Sequence, residues 1–462
     1  MTEPVDLFSR EGDDTSFSTE ADDVSALLIE MLDTAPNLLV KKLSNNDRDW
    51  ARLANKHQAG VYIPPPQRDG GFFPPLTVKE REEGGADIRE VFFRTEWPQV
   101  GETKRTRLVH YTSKGAETHM TGLPKTAFAD LSPASFIVME KLGEGEGLHY
   151  RCLTVDSASE AAVMLVDALG LPPDFLIDER RPAEYRKRER ERILTFAEQV
   201  VAAWLAGTIA AFALEKTAMP ETLAMAGLAR DAYLKKYSLT NLNPFTMETP
   251  GDALREISRA IEWDLFRDYQ LKERAVGLVR IVLGDTPGAL TASNVIHALV
   301  DGLPEIDRYM LSAGQQRKSR AGLSFENHIE RMLSDGKVPF RKQVVIQAKK
   351  RPDFVLPSLE HLTNPPTGKD RGLILSAKTT LRERWKQVER EMHGSELFLG
   401  TVDENIAANA IEEMGSMGIN LVVPELLKKS KETEYDRHKN VLTFKNFFET
   451  VVSKRMLSWA AK

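Results

Sequence analysis

Two short segments near the carboxyl end decide the expected fold: Arg351-Pro-Asp-Phe-Val-Leu-Pro357 and Leu373-Ile-Leu-Ser-Ala-Lys-Thr-Thr380. Each contains a compact apolar run that predicts a buried strand. Asp353 begins the first of these strands, and Lys378 ends the second, 25 residues later. If the two strands pair in one sheet, the two side chains can meet at one of its edges.

The sequence around these segments alternates between helical and strand-like patterns. An amphipathic helix is expected at 323–333, because Phe325, Ile329 and Leu333 fall on one face. The other expected elements are strands at 343–347, 397–402 and 419–423, and helices at 381–392, 406–417 and 444–460. This order predicts an α/β sandwich around a mixed sheet.

The amino-terminal half has a different pattern. Short β-prone runs between residues 35 and 170 are separated by connectors rich in glycine and proline, which predicts a small β-barrel or sandwich. We therefore expect an α+β protein of several domains. The expected divisions are an acidic flexible tail at 1–23, a barrel-like domain at 24–172, a helical connector at 173–218 and an α/β domain at 219–462.

Charge is distributed unevenly along the chain. Residues 1–33 hold ten acidic side chains and one arginine, a net charge of -9. Because the whole chain carries -6, the remainder carries +3. Within it, residues 315–355 hold ten basic and four acidic side chains, a net charge of +6. Such a stretch is typical either of a solvated basic face or of a surface that contacts phosphate.

Composition also excludes several classes of protein. Cys152 is the only cysteine, so the chain has no internal disulfide and no zinc site built from two or more cysteines. The start of the chain is acidic and lacks the apolar core of a secretory signal. The apolar run 200–214 is too short for an ordinary membrane span, and we expect a buried or dimer-interface helix there. These features favour a cytoplasmic protein without a membrane partner.

Three carboxylates and one lysine form a plausible set for hydrolysing a phosphodiester. Glu391 follows Lys378 by 13 residues, and Glu326 lies on the helix upstream of Asp353. Carboxylate oxygens suit Mg2+, which can polarise a scissile phosphate, and a lysine can orient water and neutralise developing charge. The alternative is a chance match of a turn aspartate and a surface lysine, since both dipeptides are common.

The helix expected after Lys378 begins with a charged trio at 382–384. Arginine donates two hydrogen bonds to guanine, and a carboxylate can accept one from cytosine. Arg382, Glu383 and Arg384 could therefore read G·C base pairs. The alternative is a solvated helix start with pairing between residues four apart.

Several of these segments resemble the EcoRII restriction endonuclease family, a branch of the PD-(D/E)xK nucleases. The resemblance is carried by Gln316-Arg-Lys-Ser-Arg-Ala-Gly322, the segments around Asp353 and Lys378, and Gly418-Ile-Asn-Leu-Val-Val-Pro424. In the amino-terminal half, Lys42-Leu-Ser-Asn-Asn-Asp47 and His57-Gln-Ala-Gly-Val-Tyr-Ile-Pro64 resemble that family's B3-like pseudobarrel effector domain, which binds a second copy of the DNA site.

The resemblance implies a role for each matching position. Asp353 and Lys378 take the catalytic positions, Ser376 stands where related nucleases carry an acid, and Glu391 supplies the substitute carboxylate. Glu326 maps to a further catalytic acid, and Asp353, Glu391 and Glu326 would hold Mg2+. The candidates for DNA contact are Arg382, Glu383, Arg384, Arg259, Lys42, His57, Tyr62, Lys104, Arg105 and Arg107.

The resemblance also implies an activity and partners. We expect a type II restriction endonuclease that cuts double-stranded DNA at a short, CCWGG-like site, acts as a homodimer and is paired with a cytosine DNA methyltransferase. Two alternatives stay open on the sequence. One is a nuclease that depends on methylated DNA, and the other is a non-catalytic DNA-binding regulator.

Overall fold

The structure, a computed structural model, describes residues 18–53, 60–79, 87–115, 117–344, 351–363, 371–381 and 396–459. The chain divides into two compact units. The first comprises Met1–Leu171 and Phe175–Tyr185, and the second comprises Pro172–Asp174 and Arg186–Lys462. Each unit combines helices with a β-sheet, which confirms the expected mixture of α and β structure. The first helix begins at Ser18, inside the segment expected to be a flexible tail.

The first unit is built on one large sheet. Its strands are β1 (Leu38–Lys42), β2 (Val61–Tyr62), β3 (Thr77–Val78), β4 (Ile88–Trp97), β5 (Glu102–Tyr111), β6 (Thr118–Thr121), β7 (Phe136–Leu142), β8 (His149–Val155) and β9 (Ile177–Arg180). In the described residues the order is β2-β6-β5-β4-β8-β7-β1-β9, and β3 pairs with β4. The pairing of β4 with β8 is parallel, and the others are antiparallel.

Helices cover one part of this sheet and short turns connect the rest. The helices are α1 (Ser18–Thr34), α2 (Asn45–Arg52), α3 (Pro65–Asp69) and α4 (Glu160–Leu169). Apolar residues of α1 and α4, including Leu28, Met31 and Leu165, pack with Val138 and Leu153 of the sheet. A separate aromatic cluster contains Phe72, Phe73, Phe93, Trp97, Phe128 and Tyr150. These two cores explain why the short strands hold together as one unit.

The second unit begins with a mainly helical region. Its helices are α5 (Pro182–Leu205, of which residues 182–185 belong to the first unit), α6 (Ile209–Phe212), α7 (Thr222–Lys236), α8 (Pro250–Glu256), α9 (Glu262–Leu283), α10 (Ala292–Asp301) and α11 (Leu303–Asp335). A π-helical turn, Ala213–Thr217, follows α6, and another, Ile257–Ile261, joins α8 to α9. Residues 182–217 are therefore mostly helical, as expected for the segment 173–218.

The apolar run 200–214 does not form the single helix that its composition predicts. Helix α5 ends at Leu205, Gly207 has a φ of 67°, and α6 starts at Ile209. Glycine tolerates this left-handed conformation because it lacks a Cβ, so the helix ends there. The Thr208 amide donates to the Ala203 carbonyl at 2.8 Å, which closes the end of α5. Among the described residues, we find no helix with the length and apolar character needed to cross a bilayer.

A mixed sheet follows in the second unit. Its strands are β10 (Arg341–Lys342), β11 (Phe354–Leu356), β12 (Leu373–Lys378), β13 (Glu396–Thr401), β14 (Ile419–Val423) and β15 (Val441–Thr443). They lie in this order; the pairs from β10 to β12 are antiparallel and those from β12 to β15 are parallel. The helices that accompany them are α12 (Leu359–Thr363), α13 (Ala408–Ser416), α14 (Glu425–Lys429), α15 (Phe444–Asn446) and, after the π turn Phe447–Val452, α16 (Ser453–Trp459).

Helices pack on both faces of this mixed sheet. Phe325 and Ile329 of α11 pack with Leu375 and Phe398 in one apolar cluster. On the other face, Ile411 of α13 belongs to a second cluster, which includes strand residues Ile374, Leu397, Leu399 and Leu421. The predicted α/β sandwich is therefore observed in this unit. The strand expected at 343–347 differs, since β10 ends at Lys342 and residues 345–350 lie outside the described part of the chain.

Candidate active site

Asp353 and Lys378 meet at the end of the mixed sheet. The Lys378 ammonium lies 2.9 Å from Oδ2 of Asp353, and the same oxygen accepts a hydrogen bond from the Ala377 amide at 2.8 Å. Asp353 is buried, whereas the lysine side chain is 28% exposed. A carboxylate held by a backbone amide and an ammonium has a fixed orientation, because charge-assisted hydrogen bonds are short and directional.

Strand register brings the two side chains together. Strands β11 and β12 are antiparallel, with Phe354 opposite Leu375, so Asp353 comes opposite Ser376. Side chains alternate between the two faces of a strand. Leu375 and Ala377 pack in the cluster beneath α11, so Lys378 points to the face opposite that of Ala377. Asp353 and Lys378 therefore meet at an edge of the sheet, as the sequence predicts.

Glu326 is the third described member of the site. It lies on α11, whose neighbouring residue Phe325 is buried in the core. Burial, reinforced by the negative charge of Asp353, raises the pKa of Glu326 to about 7, while the charges of Lys378 and Lys342 act in the opposite direction. The charges of Asp353 and Lys378 thus act on the ionisation of the Glu326 carboxyl.

A second lysine, Lys342, borders this cluster. Its ammonium forms an ion pair with Glu330 at 2.7 Å and lies 3.4 Å from Oδ1 of Asn327. The sequence analysis did not single out Lys342, although it belongs to the basic stretch at 315–355. Its strand, β10, pairs with β11, and that pairing could have identified it as a neighbour of Asp353.

The chain that leaves β12 is held at two points. Nη2 of Arg259 donates to the Thr379 carbonyl at 3.3 Å, and the Leu381 amide donates to Oδ2 of the buried Asp403 at 2.6 Å. Arg259, predicted as a DNA contact, thus lies beside the lysine strand. Asp403 was missed, although it lies just beyond the carboxyl end of β13, where parallel strands commonly place functional side chains.

Part of the predicted site cannot be located. Residues 382–395 lie outside the described part of the chain, and this segment contains Arg382, Glu383, Arg384 and Glu391. Their roles in reading bases and in holding metal therefore stay predictions. The last described residue before them is Leu381, only three positions after Lys378.

In the first unit, the side chain of Lys42 is buried and that of Tyr62 is partly buried. Lys42 is 7% exposed, and its ammonium lies 5.9 Å from the centre of the Phe136 ring. Tyr62 is half-buried, and its ring centre lies 5.9 Å from that of His119. His57 lies outside the described residues. Their proposed contacts with DNA stay predictions.

The remaining candidates of the first unit lie on β5. Arg105 is exposed, and its guanidinium stacks 4.3 Å from the centre of the Phe92 ring. Arg107 pairs with Glu90, and Lys104 pairs with Glu102 at 2.5 Å. Alternation along the strand places Arg105 and Arg107 on one face and Lys104 on the other. The predicted contacts of these three residues with DNA stay predictions.

The carboxylates are chemically suitable for a divalent metal, although the described residues do not complete a site. No group of three or more histidine, cysteine, aspartate or glutamate side chains suited to a metal occurs among them. Asp353 and Glu326 supply hard oxygen donors of the kind that Mg2+ prefers. Because the charge of Asp353 raises the pKa of Glu326, a cation bound to both carboxylates would relieve their repulsion.

Comparison with known proteins shows what the region around this site is similar to. Residues 289–448 match the family model described as EcoRII C terminal. This segment contains Glu326, Asp353 and Lys378, together with all six strands of the mixed sheet. Residues 289–448 are thus similar to the carboxyl-terminal region of EcoRII, and the resemblance that their motifs predict is confirmed.

Two curated relatives and one solved structure illustrate the similarity. The type II restriction enzyme EcoRII of Escherichia coli is 34% identical over 145 residues, which cover 29% of this chain and 35% of that enzyme. The type II restriction enzyme SsoII of Shigella sonnei is 31% identical over 153 residues, covering 31% and 48%. A structure of metal-depleted Ecl18kI with uncleaved, modified DNA covers 55% of this chain and 85% of that chain, at 22% identity and a TM-score of 0.44. The chain thus spans between a third and a half of the two curated relatives.

Proposed function

We propose that the protein is a type II restriction endonuclease that cleaves double-stranded DNA at a short specific site by Mg2+-dependent hydrolysis. The observation that carries this proposal is the contact of Lys378 with Asp353 at one end of the sheet. The charges of both residues also act on the carboxyl of Glu326. The similarity of this same region to two type II restriction enzymes supports it. We further propose that the recognised site is CCWGG-like.

Asp353, Glu326 and Lys378 each have a role in the proposed reaction. Asp353 and Glu326, with Glu391 from outside the described part, would hold Mg2+. The ion, when bound, would polarise the scissile phosphate. The side chain of Lys378 is partly exposed, and its ammonium contacts Asp353. It would orient the attacking water and neutralise the charge that develops on the phosphate.

The proposal extends to sequence reading and to assembly. Residues 382–384 begin one position after the anchored Leu381, so bases read by this trio would lie close to the phosphate that is cut. A homodimer would place one active site on each strand of a palindromic target, because its two-fold symmetry matches that of the DNA.

The first unit is proposed as a B3-like effector domain that binds another copy of the DNA site. This proposal keeps the divisions 24–172 for the effector, 173–218 for the connector and 219–462 for the nuclease. The exposed Arg105 and its neighbour Arg107 support it, because arginines on one strand face can contact consecutive phosphates. A cytosine DNA methyltransferase would protect the host's own sites, and its gene is expected nearby.

The direct test is digestion of a plasmid of known sequence by the purified full chain. We expect discrete fragments in Mg2+, intact DNA with a chelator, and a single sequence at all cleaved ends. Binding without cleavage would favour the non-catalytic regulator. Cleavage restricted to cytosine-methylated plasmid would favour the methylation-dependent nuclease.

A further inference from the structure

Helix α11 carries a buried polar cluster on the side away from Glu326. Oγ of Ser324 donates to the Glu262 carboxylate at 2.5 Å, and Nε2 of His328 lies 2.7 Å from Oε2 of the same carboxylate. The three side chains are almost inaccessible: Ser324 is 1% exposed, His328 0% and Glu262 8%. Two residues of α11 are therefore tied to the first residue of α9.

The spacing of residues along α11 means that the contacts of this cluster also determine the direction in which Glu326 points. Ser324 and His328 are four residues apart and lie on one face of the helix, one turn above the other. Glu326 lies midway between them, about 200° around the helix axis from each. If α11 rotates about its axis, Glu326 must move relative to Asp353. The contacts of Ser324 and His328 with Glu262 oppose that rotation.

The element that supplies Glu262 has an unusual geometry. The π turn Ile257–Ile261 directly precedes it, and such turns are rare and occur frequently at functional sites. Arg259, in the same turn, donates to the Thr379 carbonyl immediately after Lys378. The short segment 259–262 therefore contacts both the helix that carries Glu326 and the residue that follows Lys378.

Stability alone does not account for this cluster. Elsewhere α11 buries Phe325, Ile329, Met332 and Leu333, which stabilise it by apolar packing. Buried charged clusters are often no more stabilising than apolar side chains of similar volume. Within the described residues, the buried Nδ1 of His328 has no hydrogen-bond partner. These features fit a cluster that specifies geometry.

We infer that Glu262, Ser324 and His328 are positioning residues that fix the rotation of α11 and so direct Glu326 towards Asp353 and Lys378. They do not contact the reacting groups themselves. The inference rests on the proposed nuclease function, because it assigns Glu326 to the reacting site.

The test replaces the cluster by apolar side chains of similar size in the full chain: Glu262→Leu, Ser324→Ala and His328→Leu together. We expect the melting temperature and the affinity for target DNA in Ca2+ to stay close to those of the wild type. The single-turnover cleavage rate in Mg2+ should fall by roughly a hundredfold, because a misplacement of about 1 Å can cost that much. Ser324→Ala alone should give a smaller loss of rate, with the same unchanged DNA affinity.

A matched control is available on the same helix. Asp335 ties α11 to another part of the unit, because its Oδ2 accepts from the Leu242 amide at 2.8 Å. Asp335→Asn should lower the melting temperature and leave the single-turnover rate unchanged. A triple variant or Ser324→Ala variant that cuts at the wild-type rate would overturn the inference. The inference would also be overturned if Asp335→Asn lost cleavage rate in the same proportion to its loss of melting temperature as the triple variant does. If the wild type itself does not cut DNA, the proposed function fails first.

Discussion

At the scale of single residues, the fold changes the pKa of the Glu326 carboxyl. Burial and the nearby Asp353 raise its pKa from 4.5 to about 7. Between these two pH values the unfolded chain releases this proton while the folded chain keeps it. The contribution of this group to folding stability is therefore fully present below about pH 4.5 and is lost as pH rises towards 7.

This titration predicts a stability difference that depends on pH. Glu326→Gln should raise the free energy of unfolding of the metal-free protein at about pH 8, on the order of 1 kcal/mol after solvent screening. Near pH 4.5 the difference should vanish, because the wild-type carboxyl is then protonated. Thermal unfolding with a chelator at both pH values measures it. Glu360→Gln, at an exposed position, is the control, and an equal difference at both pH values would contradict the account.

The proposed effector surface makes a second prediction at this scale. Arg105→Ala should weaken binding of DNA by the catalytically inactive full chain and reduce the slope of log affinity against log salt by about 1, because one phosphate contact is lost. Lys125→Ala removes one exposed charge of the same unit and serves as the control. DNA-binding titrations of the wild type and of both variants at several salt concentrations measure these slopes. Equal effects of both variants would refute a specific role for Arg105.

The sequence allowed the site pair to be predicted because local patterns were sufficient. Apolar runs located both strands, and their order along the chain made Asp353 and Lys378 neighbours. The contact of Glu262 with His328 joins residues 66 positions apart, and no local pattern marks either of them. The burial of Lys42 was likewise not predicted, because its basic character gives no sign of its packing against Phe136.

At the scale of elements, the start of α2 shows how a polar contact holds a strand and a helix together. Ser44 and Asp47 form a capping box in which each side chain accepts from the other's backbone amide. Asp47 also pairs with the buried Lys41 and accepts from the Tyr62 amide at 2.7 Å. One carboxylate thus joins β1, α2 and β2.

This arrangement predicts two unequal losses of stability. Ser44→Ala should lower the free energy of unfolding of the first unit by about 1 kcal/mol, since one helix cap is lost. Asp47→Ala should cost roughly 3–5 kcal/mol, because it also leaves Lys41 as an unpaired buried charge. Chemical denaturation followed by the fluorescence of tryptophan compares the two. Equal losses in the two variants would contradict the role of Asp47 as the joining residue.

Elements were predicted best where composition and burial agree. Strand β14 coincides with its expected range of 419–423, because an apolar run buried on both faces has few alternatives. Helix α11 extends well before the expected start at 323, since polar residues from Leu303 onwards also favour helix. The break at Gly207 was missed because the run 200–214 is apolar apart from Gly207 and Thr208, and a single glycine does not by itself predict positive φ.

At the scale of the whole molecule, the net charge of -6 combines parts of opposite sign. The first 33 residues carry most of the acidic excess, and the stretch that leads into Asp353 is basic. Net charge alone would argue against a DNA partner, whereas its distribution is compatible with one. The division into two compact units likewise matches the two roles that we propose.

The two-unit organisation predicts the effect of a truncation. Removing residues 1–180 should free cleavage from any need for a second DNA site, because the proposed effector domain is then absent. Rates on plasmids with one and with two target sites should become equal for the truncated protein, while the full chain prefers two sites. An unchanged preference after truncation would refute the effector role.

The most direct test of the central claim measures cleavage and binding by the same variants of the proposed catalytic pair. Asp353→Asn and Lys378→Ala should each abolish cleavage of target DNA in Mg2+ while keeping affinity for that DNA. Asp436→Asn, at an exposed position of the same unit, should cut as the wild type does. Normal cleavage by either Asp353→Asn or Lys378→Ala would contradict the account.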